Sequence, residues 1–332
     1  MEEQVDILLA TYNGEKYVAE QIDSILNQTY KNIHLIISDD CSKDNTPEIL
    51  KEYEKKDKRV TVYIQPHNLG VVKNIEFLLK KVTNELYMLS DQDDIWLSQK
   101  VEKSVETLKK ENADLVFGDL EVVDQNLKTI YPSFGDYMLL NKKIKKYIDS
   151  YRVNYLYNCV TGCTVLSKKE FIEKILPIPT NSKYLIHDHW IGLIVALNGK
   201  LAYMPEKYIK YRQHGDNQVG IEKISHGFKT IDQVRNLFIS VKLGVFGTYV
   251  KYNEKFPKEL QNLNTEAYNY FKMLEKKKNF NFKGWNVFYN LYKTETFSYC
   301  IINFIILNMP LLAKPVFALR YKISGGKDEY RK

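Results

Sequence analysis

Two glycine-rich phosphate-binding motifs are missing from this chain of 332 residues. No G-x-G-x-x-G follows the first apolar run, and no G-x-x-x-x-G-K-[ST] occurs anywhere. Dinucleotide-binding and P-loop sites are therefore poorly supported. A protein that binds phosphates without these loops must hold them by other means, and a metal ion bound by carboxylates is one of them.

Cysteine is scarce, and the few cysteines lack the spacing of a zinc site. Cys159 and Cys163 have no second cysteine or histidine pair nearby that would complete four ligands. The thiols are therefore expected to be reduced, in an intracellular protein. The cysteines are Cys41, Cys159, Cys163 and Cys300.

A secretory signal is also missing, and no segment makes a convincing membrane span. The chain opens on acidic residues, and the apolar run Ile7–Ala10 is too short for an h-region. We therefore expect the amino-terminal part to stay in the cytosol. Residues 296–313 carry no charge and just reach the length of a spanning helix, but two asparagines and Pro310 weaken them. An interfacial or re-entrant element or a buried helix is favoured, and a protein-docking helix is nearly as well supported.

Charge is unevenly distributed along the chain. The net charge is +7 overall, but residues 221–332 carry +10 and the first 220 residues carry −3. The tail also holds 21 of the 43 aromatic residues. Interleaved rings and lysines suit a bilayer interface, although a homodimer interface would bury the same rings. Nucleic acid is disfavoured as a partner because the first 220 residues are acidic. The interleaved residues are Lys276, Lys277, Lys278, Phe280, Phe282, Lys283, Trp285, Phe288, Tyr289, Tyr292 and Lys293.

Strand-like and helix-like segments alternate through the first 120 residues. This pattern predicts an α/β fold with a mostly parallel sheet and right-handed crossovers. The predicted strands are Val5–Ala10, Ile33–Ser38, Val60–Ile64, Glu85–Leu89 and Asp114–Phe117. The predicted helices are Tyr17–Asn27, Pro47–Lys55, Val71–Lys81 and Leu97–Lys110.

Polar residues follow each of the first four predicted strands. Parallel strands end at one edge of a sheet, and open α/β sheets bind ligands there. Each polar group also has a simpler explanation as a turn or helix cap. The four groups are Thr11-Tyr12-Asn13-Gly14, Asp39-Asp40-Cys41-Ser42, His67-Asn68-Leu69-Gly70 and Asp91-Gln92-Asp93-Asp94.

The last of these groups places three carboxylates within four residues. Such crowding indicates a compensating cation, and Mg²⁺ or Mn²⁺ prefers oxygen ligands shared with substrate phosphates. The alternative is a helix amino terminus, where acids oppose the macrodipole and Ser90 or Asp94 would cap a helix from about Leu97 to Glu111. A carboxylate at Asp39 or Asp40 could accept a hydrogen bond from the imide N–H of uracil or thymine.

These motifs together resemble glycosyltransferase family 2, whose nucleotide-sugar domain has the GT-A fold. The resemblance covers about residues 4–220 and implies a Rossmann-like sheet flanked by helices, followed by a mainly α-helical carboxyl-terminal region. It implies nucleotide-sugar binding by Thr11, Asn13, Asp39, Asp40, Asn68, Asp91 and Arg212. It also implies that Asp91 and Asp93 form the D-x-D pair for Mn²⁺ or Mg²⁺.

Beyond residue 150, His187-Asp188-His189-Trp190 stands out. By resemblance, Asp188 is the general base, which takes the proton from an acceptor hydroxyl during an inverting displacement. Partial burial beside Trp190 would strengthen this base. His187 and His189 are rival bases, and their spacing also admits a metal site. Asp94, His187, His189 and Trp190 are assigned to the acceptor side or to other roles.

The run Tyr211-Arg212-Gln213-His214-Gly215-Asp216-Asn217 resembles the family's loop over the diphosphate. Arg212 could bind phosphate with two parallel hydrogen bonds, while His214 could complete the metal shell or donate to the leaving group. An ordinary exposed loop with glycine turns is the alternative.

The motifs look most like those of bacterial rhamnosyltransferases of cell-wall or capsular polysaccharide synthesis. This resemblance implies dTDP-β-L-rhamnose as donor and a polyprenyl-diphosphate-linked saccharide as acceptor, at the inner face of the cytoplasmic membrane. Other donors such as UDP-Gal, UDP-Glc or UDP-GlcNAc remain open, as does a non-catalytic membrane scaffold. Residues 1–220 are expected to be the catalytic domain, and residues 221–332 a helical region for membrane association or oligomerisation.

Overall fold

The computed structural model describes residues 3–138, 140–182, 184–215, 230–276, 284–293, 295 and 297–309. The chain forms two compact units. The first contains residues 1–180 and 186–220, and the second contains residues 181–185 and 221–332.

The first unit is built on a mostly parallel sheet of seven strands. Its strands are β1 (Val5–Thr11), β2 (Ile33–Asp39), β3 (Val60–Ile64), β4 (Leu86–Ser90), β6 (Leu115–Gly118), β9 (Leu166–Lys168) and β10 (Leu201–Met204). The strand order is β10-β6-β9-β4-β1-β2-β3. Strand β9 runs antiparallel to both of its neighbours, β4 and β6, and the other pairs are parallel. The carboxyl ends of the parallel strands therefore share one edge.

A second, four-stranded sheet has the order β5-β11-β7-β8. These strands are β5 (Ile95–Trp96), β7 (Glu121–Val123), β8 (Thr129–Tyr131) and β11 (Ile209–Arg212). The short strand β5 follows the acidic residues 91–94 directly and pairs antiparallel with β11. This pairing brings the acidic turn and the Arg212 segment together, although 118 residues separate Asp94 from Arg212 along the chain.

Helices cover the sheet and are amphipathic, as their apolar spacing predicts. On helix α1, for example, Val18, Ile22 and Ile25 form the buried face. The helices of this unit are α1 (Val18–Leu26), α2 (Thr46–Lys56), α3 (Val71–Leu79), α4 (Lys100–Lys110), α5 (Phe134–Tyr137), α6 (Leu140–Tyr147), α7 (Arg152–Tyr155), α8 (Ile172–Ile175) and α9 (His187–Asn198), with 3-10 turns at Gly162–Thr164 and Lys169–Phe171.

The predicted strands and helices are confirmed to within a few residues, with one instructive error. Helix α4 begins at Lys100 rather than near Leu97, and its N-cap position is Gln99. Neither Ser90 nor Asp94 caps it, because strand β5 lies between the acidic turn and the helix. The helix-cap explanation of the acidic turn is therefore wrong.

The second unit is helical. Helix α10 begins with a capping box, in which the Thr230 hydroxyl accepts from Gln233 N and the Gln233 side chain accepts from Thr230 N. Inside this unit, Phe246 stacks on Phe271 with ring centroids 5.8 Å apart. The helices are α10 (Ile231–Lys251), α11 (Lys258–Lys276), α12 (Trp285–Tyr292) and α13 (Phe297–Asn308), with a 3-10 turn at Asn253–Lys255.

Helix α13 covers most of the uncharged segment at residues 296–313. Phe304 is buried and meets Trp285 edge-on, with ring centroids 4.9 Å apart. Within the described ranges, none of the helices combines the length and apolarity that crossing a membrane requires. Cys300, Phe304 and Leu307 are buried whereas Ile302 is 49% exposed, so one face of the helix packs against protein, and the choice among an interfacial element, a buried helix and a docking helix stays a prediction. Residues 310–313 lie outside the described part. Several of the tail residues singled out above also lie outside it, namely Lys277, Lys278, Phe280, Phe282 and Lys283.

Candidate functional site

The ends of β1 and β2 meet through their side chains. The sheet register pairs Thr11 with Asp39, and the Thr11 hydroxyl donates to Asp39 Oδ1 over 2.9 Å. Ser42 N donates to Asp39 Oδ2 over 2.9 Å. Both carboxylate oxygens thus accept protein hydrogen bonds, and Asp39 is fully buried. The pair predicted to bind the nucleoside is held rigidly at the sheet edge.

The neighbouring carboxylate, Asp40, organises the loop after β3. Its two oxygens accept from Leu69 N over 2.6 Å and from Gly70 N over 2.9 Å. The Asn68 amide donates to the Asp40 carbonyl over 3.2 Å. Gly70 has a φ of +79°, a conformation that glycine adopts without strain. Asp40 and Asn68 therefore shape this loop, and their predicted contact with the nucleotide remains a prediction.

Asn13 links the turn after β1 to the loop after β2. Its backbone N–H donates to the Ser42 hydroxyl over 2.8 Å, and its side-chain oxygen accepts from Lys43 N over 2.9 Å. Asn13 adopts a φ of +48°, a conformation in which asparagine is enriched. The side chain fixes the turn, so its predicted contact with the donor also remains a prediction.

The acidic turn is crowded and only partly accessible to solvent. Asp94 is fully buried, and its Oδ2 has no hydrogen-bond partner in the described structure. Burial, followed by the charges of Asp93 and Asp91, raises the pKa of Asp94. Burial and the charge of Asp93 likewise raise the pKa of Asp91. Carboxylates held this close are stabilised by a cation.

One group of ligand atoms lies close enough together to hold a cation, and it differs from the predicted set Asp91, Asp93 and His214. One ligand atom from each of Asp91, Asp94 and Cys163 lies within 4.8 Å of the others. Asp93 and His214 form a second pair, in which His214 Nε2 lies 2.9 Å from Asp93 Oδ2. Carboxylate oxygens suit Mg²⁺ and Mn²⁺, whereas Cys163 is a softer ligand and is completely buried in protein. The predicted ligands Asp91, Asp93 and His214 are thus brought to one edge of the unit.

Arg212 is held by protein acceptors. Its Nε donates to the Asp93 carbonyl over 2.9 Å, one terminal nitrogen donates to the Gln125 carbonyl over 3.1 Å, and the other pairs with Glu20 over 2.5 Å. The side chain is 3% exposed. In this structure the Arg212 guanidinium holds the acidic turn in place, and its N–H groups are directed at protein acceptors. Arg212 would bind a phosphate, as predicted, by giving up these hydrogen bonds.

Tyr17 and Glu20 are site residues that the sequence reasoning missed. The Arg212 guanidinium lies 4.5 Å from the centre of the Tyr17 ring, and the His214 ring centroid lies 4.8 Å from it. Tyr17 therefore contacts both side chains of the Arg212 segment, with a cation–π contact to Arg212. The contact joins residues about 200 positions apart in sequence, and no local pattern indicates it.

The predicted base, Asp188, lies in the first turn of α9. Its Oδ2 accepts from Gly162 N over 3.2 Å and its Oδ1 from His189 N over 2.6 Å. Burial raises the pKa of Asp188 to about 6, against these backbone hydrogen bonds, which lower it. Asp188 and His187 also act electrostatically on Asp91. Gly162, whose N–H holds Asp188, is followed by Cys163. The Cys163 sulfur lies within 4.8 Å of carboxylate oxygens of Asp91 and Asp94, so the base candidate lies beside the acidic turn.

The two residues that follow Asp188 form hydrogen bonds within the protein. His189 Nε2 lies 2.6 Å from the Asn154 carbonyl, so this nitrogen carries the proton and donates. The Trp190 indole N–H donates to the Ile175 carbonyl over 2.8 Å, and the ring is fully buried. Both side chains thus make packing contacts in this structure, and their assignment to the acceptor side or to other roles stays a prediction. Burial lowers the pKa of His187, which favours the neutral ring.

Lys100 is a further unpredicted neighbour of the acidic turn. The side chain is 1% exposed, its ammonium lies 3.1 Å from the centre of the Trp96 ring, and it lacks a hydrogen-bond partner among the described residues. Burial lowers the pKa of Lys100 to about 7, although Cys163, Asp94 and Asp91 oppose this shift. A buried cation therefore lies within electrostatic range of the acids.

The mostly parallel sheet, the acidic turn at its carboxyl edge and the helical carboxyl-terminal region are those of the GT-A class of glycosyltransferases. The model of glycosyl transferase family 2 matches residues 6–176, so the chain belongs to this family. It is a glycosyltransferase.

Two curated relatives are similar over most of their length. The chain is 31% identical to the dTDP-rhamnosyl transferase RfbG of Shigella flexneri, over 69% of this chain and 79% of RfbG. It is 28% identical to the UDP-Glc:alpha-D-GlcNAc-diphosphoundecaprenol beta-1,3-glucosyltransferase WfgD of Escherichia coli, over 63% of this chain and 76% of WfgD.

Solved structures share the fold at lower sequence identity. TarS of S. aureus, crystallised with UDP-GlcNAc, aligns with a TM-score of 0.56 and 16% identity, over 99% of this chain and 89% of that chain. The mannosyltransferase PcManGT of Pyrobaculum calidifontis, in complex with GDP-Man and Mn²⁺, aligns with a TM-score of 0.54 and 14% identity, over 89% of this chain and 74% of that one. These similarities establish the fold alone.

Proposed function

We propose that this protein is a metal-dependent, inverting glycosyltransferase that transfers L-rhamnose from dTDP-β-L-rhamnose to a lipid-linked saccharide. The observation that carries the proposal is the position of Asp188 beside the acidic turn. Its Oδ2 accepts from Gly162 N, and the next residue, Cys163, offers a sulfur within 4.8 Å of carboxylate oxygens of Asp91 and Asp94. A buried carboxylate whose pKa is raised to about 6 is thus joined to an acidic turn suited to a cation and diphosphate. A sugar transfer needs a base for the acceptor hydroxyl and a cation for the leaving diphosphate.

Asp188 is the general base in this mechanism. It takes the proton of the acceptor hydroxyl as that oxygen forms a bond to the anomeric carbon, and the bond from this carbon to the diphosphate oxygen breaks. The nucleoside diphosphate leaves with the electron pair, and the configuration is inverted. The N–H groups of Gly162 and His189 hold the carboxylate in place.

Asp91, Asp93 and His214 would hold Mn²⁺ or Mg²⁺, which neutralises negative charge developing on the leaving diphosphate. Arg212 keeps the acidic turn in position through the Asp93 carbonyl. On the nucleoside side, Thr11 and Asp39, with Asp40, Asn13 and Asn68, shape the region in which the base would bind.

The rhamnosyl donor is supported by the similarity to RfbG, whose name specifies a dTDP-rhamnosyl transferase. A UDP-sugar is the alternative, since WfgD is named for UDP-Glc. The name of WfgD also specifies a diphosphoundecaprenol-linked acceptor, which supports a polyprenyl-diphosphate-linked saccharide for this chain.

A lipid-linked acceptor places the enzyme at the inner face of the cytoplasmic membrane, as a peripheral protein. The +10 charge and the many aromatic residues of residues 221–332 support this placement. In this proposal residues 1–220 form the catalytic domain, and residues 221–332 serve membrane association or homo-oligomerisation.

The test is release of nucleoside diphosphate from a panel of dTDP- and UDP-sugars, with Mn²⁺ or Mg²⁺, in the presence and absence of a lipid-linked acceptor. We expect chelator-sensitive release from dTDP-β-L-rhamnose that increases with the acceptor. Release from a UDP-sugar alone would replace the donor, and release unaffected by chelator would remove the metal from the proposal. No release of nucleoside diphosphate from any donor, together with no donor binding, would overturn the proposal.

A further inference from the structure

The side chain of Gln92 connects the acidic turn to the turn after β1. Its Oε1 accepts from Tyr12 N over 2.8 Å, and its Nε2 donates to the Tyr12 carbonyl over 3.1 Å. The amide therefore pairs with the backbone of a residue 80 positions away, as a neighbouring β-strand would. Only a primary amide offers a donor and an acceptor in this arrangement.

Gly14 leaves the space that this contact needs. A Cβ placed on Gly14 would lie 2.4 Å from Gln92 Oε1 and 2.7 Å from its Cδ, far inside van der Waals contact. Gly14 is therefore required by the close approach of the Gln92 amide. The position of the Gln92 amide thus depends on the absence of a side chain at residue 14.

The turn that Gln92 holds is fixed on its other side by the loop after β2. Asn13 N donates to the Ser42 hydroxyl and Gly14 N to the Thr46 hydroxyl, each over 2.8 Å. The same loop bonds to Asp39 through Ser42. Gln92 thereby connects the acidic turn to a network that includes the predicted nucleoside-binding residues.

We propose that Gln92 is a positioning residue that holds the nucleoside-binding turn and the metal-binding turn at a fixed separation, so that one donor molecule engages both. The inference rests on the function proposed above and deepens it. Gln92 lies between Asp91 and Asp93 in sequence, so fixing its side chain fixes the backbone that carries both carboxylates. The donor then binds at its two ends without the cost of ordering one turn against the other.

The experiment compares two affinities in each variant, for the nucleoside monophosphate dTMP without metal and for dTDP with Mn²⁺, by isothermal titration calorimetry. In Gln92→Met, which keeps the volume but neither hydrogen bond, we expect dTMP affinity within about twofold of wild type and dTDP–Mn²⁺ affinity lowered about tenfold. The KM for the sugar donor should rise about as much, with kcat changed less than about threefold. A rise in KM with little change in kcat identifies a positioning residue rather than a catalytic one.

Gln28 provides the matched control. It is a buried glutamine whose amide bridges Leu97 and Val101, with Nε2 donating to the Leu97 carbonyl over 2.9 Å and Oε1 accepting from Val101 N over 3.1 Å. Gln28→Met should lower the melting temperature while the ratio of the two affinities stays at the wild-type value. An equal fall of that ratio in both variants would overturn the proposal.

The pairing with Gly14 gives a second, independent test. Gly14→Ala alone should lower dTDP–Mn²⁺ affinity as Gln92→Met does, because the added methyl displaces the amide. In a Gln92→Ala background, which empties that space, Gly14→Ala should have almost no further effect. Additive losses would contradict the inference.

If the wild-type protein itself binds no dTDP with Mn²⁺, the proposed function fails first, and this outcome is distinct from an unchanged affinity ratio in Gln92→Met.

Discussion

The two units of this protein differ in the charges that they bury. The first unit buries charges of both signs near one edge of its sheet, with carboxylates such as Asp39, Asp94 and Asp188 and the cations Lys100 and Arg212. The second unit buries cations, Arg235 at 5% exposure and Lys242 at 8%, among aromatic rings. Buried charge is costly in either place. In the function proposed above, the buried charges of the first unit serve the reaction, whereas Arg235 in the second unit stabilises its fold.

Arg235 illustrates this stabilising role. Its Nε donates to the Leu307 carbonyl and its terminal nitrogen to the Leu274 carbonyl, each over 2.8 Å. These carbonyls lie in the last turns of α13 and α11, where helical carbonyls lack partners within the helix. One guanidinium thus caps two helix ends, at the pole of the dipole that favours a cation.

The largest effect is expected for Asp188→Asn, which tests whether this buried carboxylate of the first unit takes part in the reaction. Turnover should fall about 10²- to 10⁴-fold because the amide cannot accept the acceptor's proton. Binding of the donor with Mn²⁺ should stay at the wild-type level in calorimetry. Asp94, a buried acid in the same site, is not assigned to proton transfer. A loss of donor binding in Asp188→Asn would remove the role of base from Asp188.

The pH profile of the wild-type enzyme checks the same assignment. The pKa of Asp188 is raised to about 6, so the carboxylate is ionised above this pH and becomes protonated below it. The kcat/KM should therefore fall about tenfold per pH unit below pH 6 and be level just above it. An acidic limb at the ordinary pKa of an aspartate, near 4, would argue against a buried base.

The next largest effect is expected for Arg235→Met, which tests whether this buried cation stabilises the second unit. The change leaves the Leu274 and Leu307 carbonyls without their donor, and the free energy of unfolding should fall by about 2–4 kcal/mol. Urea unfolding followed by far-UV circular dichroism measures it. Lys251→Met, an exposed cation near the end of the same helix, is the control and should change stability by less than about 0.5 kcal/mol.

The smallest effect compares two buried lysines, one from each unit. Burial lowers the pKa of Lys242 to about 8, so the folded state disfavours its charged form. Lys242→Met should raise the melting temperature slightly at pH 7, and the gain should vanish as the pH rises towards the ordinary lysine pKa of about 10.5. Burial lowers the pKa of Lys100 further, to about 7, even with Asp94 and Asp91 nearby, so Lys100→Met should also raise the melting temperature at pH 7. A lower melting temperature in either variant would contradict the sign derived from the lowered pKa.

The sequence predicted the strand ends better than it predicted what the side chains there contact. Apolar runs followed by polar residues located Thr11, Asp39 and the acidic turn, because strand periodicity and parallel topology are local signals. The contacts of Arg212 depend on strand β11 pairing with β5, as Ile209 does with Trp96 and Lys210 with Ile95, and no local pattern carries that information. The partner of the Trp190 indole N–H, the Ile175 carbonyl, was equally unpredictable from the local sequence.

The reversed strand β9 has a consequence for the order in which the chain folds. Strands β1, β2 and β3 pair with their neighbours in sequence, whereas β4 pairs with β1 and with β9, each about 80 residues away. Gly162, which holds Asp188, and Cys163, beside Asp91 and Asp94, immediately precede β9. The nucleoside-binding strands can therefore pair early, whereas the base and the acidic turn come together only after β4 and then β9 have added to the sheet. A nascent chain that stops before residue 160 would leave the edges of β4 and β6 that pair with β9 exposed to pairing with other chains.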